Sequence, residues 1–83
     1  MLKKRSISLS GHSTSLALEL EFWNALEAMA VAQAVNLSTL IVRIDRSRGP
    51  DPLASACRLA ALRWAMEHSH PFVLSQGLKP SRT

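Results

Sequence analysis

Two short runs of alternating hydrophobic and polar residues open the chain. Residues 6–10 read Ser-Ile-Ser-Leu-Ser, and residues 13–18 read Ser-Thr-Ser-Leu-Ala-Leu. A period of two sends successive side chains to opposite faces, which predicts half-buried strands. In the second run, Thr14, Leu16 and Leu18 share the face that we expect to meet a hydrophobic core.

The link between the two runs leaves two strand pairings open. Gly11 and His12 separate the runs, and a glycine at the first turn position can close a tight hairpin. The second run can equally pair with its own copy from another chain. The residues therefore leave open whether the ribbon forms within one subunit or between two.

The hydrophobic period becomes helical from Glu19 onward. Apolar residues spaced three and four apart predict a first helix that ends near Ala34 and Val35. The stripe consists of Phe22, Leu26, Met29 and Ala30, with the polar Gln33 at the same spacing, and is widened by Trp23 and Ala25.

A second amphipathic helix follows Asn36, a residue that is well suited to cap a helix N-terminus. Its apolar positions are Leu37, Leu40, Ile41 and Ile44, at the spacing i, i+3, i+4 and i+7. Gly49 and Pro50 end it, because this pair cannot continue a helix.

A third helix is expected to start with Asp51 as its cap and Pro52 as its first residue, and to end at Pro71. It carries two apolar stripes, so we expect contacts on two sides. The first stripe is Leu53, Ala56, Cys57, Ala60 and Trp64, and the second is Leu59, Leu62 and Met66. We therefore predict one domain over residues 1–70 and a flexible basic tail over 71–83.

Composition narrows the class of protein. With 83 residues, 47% of them hydrophobic, a lone monomer would be marginally stable, and a subunit interface would bury the excess apolar surface. The net charge of +4 favours polyanionic partners. No apolar run is long enough for a membrane helix, and the segment after the basic start is not a signal-peptide core, so we expect a cytoplasmic protein.

The sequence carries no catalytic, cofactor or metal motif that we recognise. Glycine-rich phosphate loops, nucleophile elbows and dinucleotide fingerprints are absent, and the single cysteine and three histidines lack metal-ligand spacing. We therefore expect neither enzymatic activity nor a cofactor nor a metal site.

A known family matches this order of elements. The segment STSLALELEFWNALEAMAVAQAVNLSTLIVRID, a strand followed by two helices with a short turn, resembles the ribbon-helix-helix superfamily of Arc-type repressors. The stretches KRSISLSGHSTSLALELEFWNAL, NLSTLIVRID and SACRLAALRW resemble a bacterial subfamily with an extra N-terminal strand and a third helix. The resemblance implies a mainly α fold with a short β-ribbon, an intertwined homodimer and an added C-terminal helix.

The resemblance also implies roles for particular residues. The outward side chains of the ribbon, Ser13, Ser15 and Ala17, would face bases in the major groove of double-stranded DNA. Members of the family usually carry a long polar side chain among these positions, whereas this chain has two serines and an alanine. Phosphates would be bound by the start of the second helix and by a basic N-terminal arm, namely Asn36, Leu37, Ser38, Lys3, Lys4 and Arg5. The dimer core would contain Leu16, Leu18, Phe22, Leu26, Leu40, Ile41 and Ile44.

The function expected from this resemblance is a sequence-specific, repressor-type transcription regulator that reads DNA with an intersubunit ribbon, as a homodimer or a higher oligomer. Two alternatives stay open. The chain can be a protein-interaction module of the same fold, whose apolar third helix binds a protein partner. It can also be an antitoxin, which binds DNA with the ribbon and a toxin with its C-terminal segment.

Overall fold

The computed structural model describes residues 1–68, which form a two-stranded antiparallel sheet followed by three helices. The strands are β1 (Leu2–Leu9) and β2 (His12–Glu19), and the helices are α1 (Leu20–Ala32), α2 (Leu37–Ser47) and α3 (Leu53–His68). The predicted mainly helical fold with a short β-ribbon is confirmed. The predicted tail over 71–83 and the helix end at Pro71 lie outside the described residues.

The two strands form a hairpin within one chain. All eight residues of β1 pair with residues of β2, from Leu2 opposite Glu19 to Leu9 opposite His12. Ser10 and Gly11 make the turn, with φ angles of 48° and 92°. Two positive φ values define the type I′ turn, whose twist matches that of antiparallel strands.

The sequence-based prediction of the hairpin was wrong in two details. His12 belongs to β2 and not to the turn, and Gly11 takes the second turn position. Each strand has eight residues, so the basic residues 3–5 lie inside β1 and do not form an arm. Within the chain, β1 pairs with one edge of β2, and pairing of the other edge with a second subunit stays a prediction.

Helix α1 ends two residues earlier than predicted, because Ala34 turns the chain with a φ of 57°. The Val35 amide donates to the Ala30 carbonyl and the Ala34 amide to the Val31 carbonyl, both at 3.0 Å. These two hydrogen bonds form a Schellman motif, which satisfies the last carbonyls of the helix.

The caps of α2 and α3 differ in how well they were predicted. Asn36 caps α2 as expected, because its side-chain oxygen accepts a hydrogen bond of 2.8 Å from the Thr39 amide. Helix α3 begins at Leu53, one residue later than predicted. The Pro52 carbonyl accepts from the Ala56 amide at 3.0 Å, so Pro52 occupies the cap position that had been assigned to Asp51.

The core lies between the inner face of the hairpin and the three helices. Its buried residues come from all five elements: Ile7, Leu16, Leu18, Trp23, Leu26, Met29, Ala30, Leu40, Ile41, Ile44, Cys57 and Ala61. Six of the seven residues predicted for the dimer core are thus buried within a single chain. The exception is Phe22, which packs against the core but is only partly buried, while Trp23 takes the central place.

The two apolar stripes of α3 have different environments. Cys57 and Ala61 are fully buried, and Leu53, Ala56, Ala60 and Trp64 pack around them. The second stripe is exposed, with Leu59, Leu62 and Met66 accessible over 43%, 50% and 70% of their surfaces.

No single helix among residues 1–68 is long and apolar enough to cross a membrane. Helices α1 and α2 reach the required length and composition only when taken together, and they meet at an angle of 101°.

Candidate nucleic-acid interface

The outward face of β2 carries the three residues that the family resemblance assigns to base contacts. Ser13 and Ser15 are exposed and Ala17 is half-buried, whereas Leu16 and Leu18 between and beside them are buried. Alternation along the strand therefore places these residues on the side of the ribbon that faces away from the core, as the sequence predicted. Their contact with DNA stays a prediction.

Strand β1 contributes a second row to this outward face. The register puts Ser8 opposite Ser13, Ser6 opposite Ser15 and Lys4 opposite Ala17, and opposed residues in an antiparallel pair project to the same side. Lys4, Ser6 and Ser8 are all exposed. We call these six residues the outward face. Sequence reasoning overlooked Ser6 and Ser8, because finding them requires the register that the Ser10-Gly11 turn sets.

The outward face consists mostly of small side chains and carries one cation. Four of its six side chains are serines, one is a methyl group and one is the long ammonium chain of Lys4. Glu19, the next outward residue of β2, is held by Arg58 of α3, whose Nε donates to Oε1 at 2.9 Å. This hydrogen bond and charge lower the pKa of the Glu19 carboxyl, so the carboxylate that borders the face is paired.

Arg5 is bound to α1 and does not act as part of a free arm. Its Nη1 lies 2.7 Å from Oε2 of Glu27, and its guanidinium carbon lies 4.6 Å from the centroid of the Trp23 ring. The Trp23 indole N–H donates to the Lys3 carbonyl at 2.8 Å. The charge of Arg5 is thus paired on the core side of the hairpin, and its assignment to phosphate binding stays a prediction.

The start of α2 offers two free amides. The Asn36 side chain satisfies the Thr39 amide, and the Asn36 carbonyl accepts from Leu40 at 3.1 Å. Among the hydrogen bonds of residues 1–68, none involves the amides of Leu37 and Ser38. Free amides at a helix start, together with the helix dipole, favour an anion there.

The part of the chain that the structure describes contains no cluster of three or more His, Cys, Asp or Glu side chains suited to a metal ion. His68, one of the histidines considered for metal binding, places Nδ1 2.8 Å from the Trp64 carbonyl oxygen.

Comparison with known proteins assigns this architecture to a family. The family model for the ribbon-helix-helix domain matches residues 2–65, so the chain belongs to the ribbon-helix-helix family. Domains of this family typically dimerise and bind DNA, and they generally serve as transcription regulators or antitoxins. No curated protein matches the chain.

One solved structure is similar over almost the whole chain. It is an uncharacterized protein from Bordetella pertussis Tohama I, with a TM-score of 0.71 and 25% sequence identity. The match covers 96% of this chain and 68% of that one. The similarity supports the arrangement of the hairpin and the three helices.

Proposed function

We propose that this protein is a sequence-specific, DNA-binding transcription regulator of the repressor type, which acts as a homodimer. The outward face of the hairpin enters the major groove. One observation carries the proposal: the exposed side of an antiparallel ribbon bears short hydroxyl side chains, and its other side is part of the core.

The dimensions of the hairpin suit a DNA groove. Neighbouring strands lie about 4.8 Å apart, and the major groove of B-DNA, about 12 Å wide, admits a two-stranded ribbon. Serine hydroxyls both donate and accept, so Ser6, Ser8, Ser13 and Ser15 can hydrogen-bond to several base edges. The methyl group of Ala17 suits the C5-methyl group of thymine.

Backbone phosphates would be bound beside the ribbon. The free amides of Leu37 and Ser38, with Asn36 closing the turn, can hold one phosphate, and the exposed ammonium of Lys3 can meet another. Such contacts fix the position of a protein on DNA without reading its sequence.

The exposed stripe of α3 is the surface that we propose for the second subunit. Leu62 lies at its centre, and hydrophobic side chains in such a row favour association. Leu62→Glu should shift the protein towards monomer in sedimentation equilibrium, whereas Ala28→Glu, the same added charge on the exposed side of α1, should not. A wild-type protein that is monomeric at every concentration would contradict the homodimer.

Fluorescence anisotropy tests the DNA-binding role directly. The protein is titrated into the duplex from upstream of its own gene and into a scrambled copy, each at low and moderate salt. The proposal expects tighter binding to the first duplex at both salt concentrations. Ser15→Glu should weaken this binding at least about tenfold, because a carboxylate would face the DNA phosphates.

A matched variant tests whether the position of the added negative charge matters, and not only its presence. Asn24→Asp adds one negative charge on the exposed side of α1, away from the outward face. It should lower the affinity much less than Ser15→Glu does. Equal effects of the two variants, or equal salt-sensitive binding to both duplexes, would refute reading by the ribbon. A protein partner on the α3 stripe would then be the better candidate.

A further inference from the structure

We propose that Lys4 is the specificity-determining residue of the outward face and that its ammonium group binds the edge of a guanine in the groove. The inference rests on the proposed function and extends it to β1. In place of a basic arm of three equivalent residues, Lys3, Lys4 and Arg5 each have a different environment.

The residues on either side of Lys4 are both anchored to the same side chain. The carbonyl of Lys3 accepts a hydrogen bond of 2.8 Å from the Trp23 indole, and the guanidinium of Arg5 stacks over the Trp23 ring at 4.6 Å. Trp23 itself is fully buried. Because the backbone is anchored immediately before and after Lys4, its Cα and Cβ are held on the outward face, and a preorganised backbone lowers the entropic cost of binding.

The neighbours of Lys4 leave its ammonium group unopposed. Ala17 lies directly across from it, and Ser6 and Ser15 form the next pair along the face. Glu19 is its diagonal neighbour on β2, but that carboxylate is paired with Arg58. Within residues 1–68, the Lys4 ammonium forms no salt bridge with a carboxylate at 4.0 Å or less. Its charge is therefore available to a ligand.

The chemistry of the face points to guanine. A lysine in the major groove can bind both O6 and N7 of guanine, a pair of acceptors that no other base offers. The short serines bring the ribbon backbone close to the base edges, so a side chain as long as lysine can reach into the groove. A lysine at this site would therefore supply discrimination that serine and alanine lack.

The test compares two adjacent lysines with equal charge. Lys4→Ala and Lys3→Ala each remove one cation, but Lys3 shares the inner side of β1 with Arg5 and Ile7. Both are measured by anisotropy against the upstream duplex and its scrambled copy over a range of salt. Lys4→Ala should weaken binding to the upstream duplex roughly ten- to a hundredfold and reduce its preference over the scrambled copy. Lys3→Ala should weaken both duplexes similarly and lower the salt slope by about one.

A modified duplex tests the proposed ligand atom. The upstream duplex prepared with 7-deazaguanine lacks the N7 acceptor, so wild-type protein should bind it more weakly than the normal duplex. The Lys4→Ala variant should bind both duplexes equally, because it makes no contact to lose. Circular dichroism of both alanine variants checks that the hairpin and helices are retained.

The possible failures can be told apart. If Lys4→Ala weakens both sequences equally and lowers the salt slope, Lys4 contacts phosphate, and this inference fails while ribbon-mediated DNA binding stands. The inference also fails, with DNA binding by the ribbon intact, if Lys4→Ala retains the full preference. If wild-type protein shows no preference between the duplexes, the proposed function itself fails.

Discussion

The guanidinium of Arg5 lies over the ring of Trp23, 4.6 Å from its centroid, and so joins the first strand to the first helix. Glu27, one turn further along α1, completes the contact through an ion pair of 2.7 Å. Trp23 also donates to the carbonyl of Lys3. One buried side chain therefore fixes β1 at two successive inward positions, which holds the hairpin at a defined place on the helices.

Trp23→Phe should lower the free energy of unfolding by about 1–3 kcal/mol, since it removes the indole donor from Lys3 and leaves space in the core. Urea denaturation followed by circular dichroism measures the loss. Glu27→Gln is the control, because it breaks only a largely exposed ion pair and should cost less than about 1 kcal/mol. A larger loss for Glu27→Gln than for Trp23→Phe would contradict the central role of the indole.

Ala34→Gly should stabilise the protein. Ala34 has a φ of 57° in the Schellman motif after α1, and a left-handed conformation costs a residue with a Cβ about 1 kcal/mol or more, a penalty that glycine avoids. The expected gain of up to about 1 kcal/mol raises Tm by roughly 4–8 °C in a domain of this size. Ala28→Gly, on the exposed side of the same helix, should instead lower Tm by a comparable amount.

The Glu19–Arg58 pair predicts a dependence of stability on pH. The hydrogen bond from Arg58 lowers the pKa of Glu19 from its ordinary value of 4.5. A carboxyl whose pKa is lower in the folded state stabilises the fold above its unfolded pKa, and this contribution is lost as the pH falls through the folded value. Urea midpoints measured between pH 7 and pH 3 should therefore fall more steeply for the wild type than for Glu19→Gln. Glu21→Gln, on the same turn but outside the ion pairs of residues 1–68, should retain the steeper slope.

The thiol of Cys57 should report unfolding. Cys57 is fully buried, and burial raises its pKa to about 11, so it is protonated at neutral pH. A neutral, inaccessible thiol reacts slowly with disulfide reagents. The rate of reaction with such a reagent should rise with urea in parallel with the loss of helical circular dichroism. Rapid reaction in native buffer would contradict the packing of α3 on the core.

Local patterns predicted the faces of the elements better than their ends. The alternation around Leu16 and Leu18 correctly separated the inner and outer sides of β2, and the cap at Asn36 was visible in the sequence. The choice between Phe22 and Trp23 was not, because α1 follows β2 directly and the rotation of the helix depends on that junction. Periodicity tolerates either residue in the centre of the stripe, and only packing distinguishes them.

Only half of the outward face was predicted from the sequence, for a related reason. Ser13, Ser15 and Ala17 follow from the pattern of one strand, whereas Lys4, Ser6 and Ser8 follow from pairing with another. The closing turn sets that pairing, and Ser10-Gly11 is a weaker signal than the Asn-Gly or Asp-Gly pairs typical of type I′ turns. The pairing of Arg5 with Glu27 also joins residues that are distant in sequence, so no local pattern announces it.

The inward and outward residues of the hairpin have separate roles. Inward residues such as Ile7 and Leu16 are part of the core, whereas the outward serines are exposed. Substitutions at Ser6, Ser8, Ser13 and Ser15 should therefore change the outward face at little cost in stability. In the proposed role, a lineage carrying this domain would acquire new target sequences by changing a few side chains on an unchanged framework, and a protein engineer could use the same freedom.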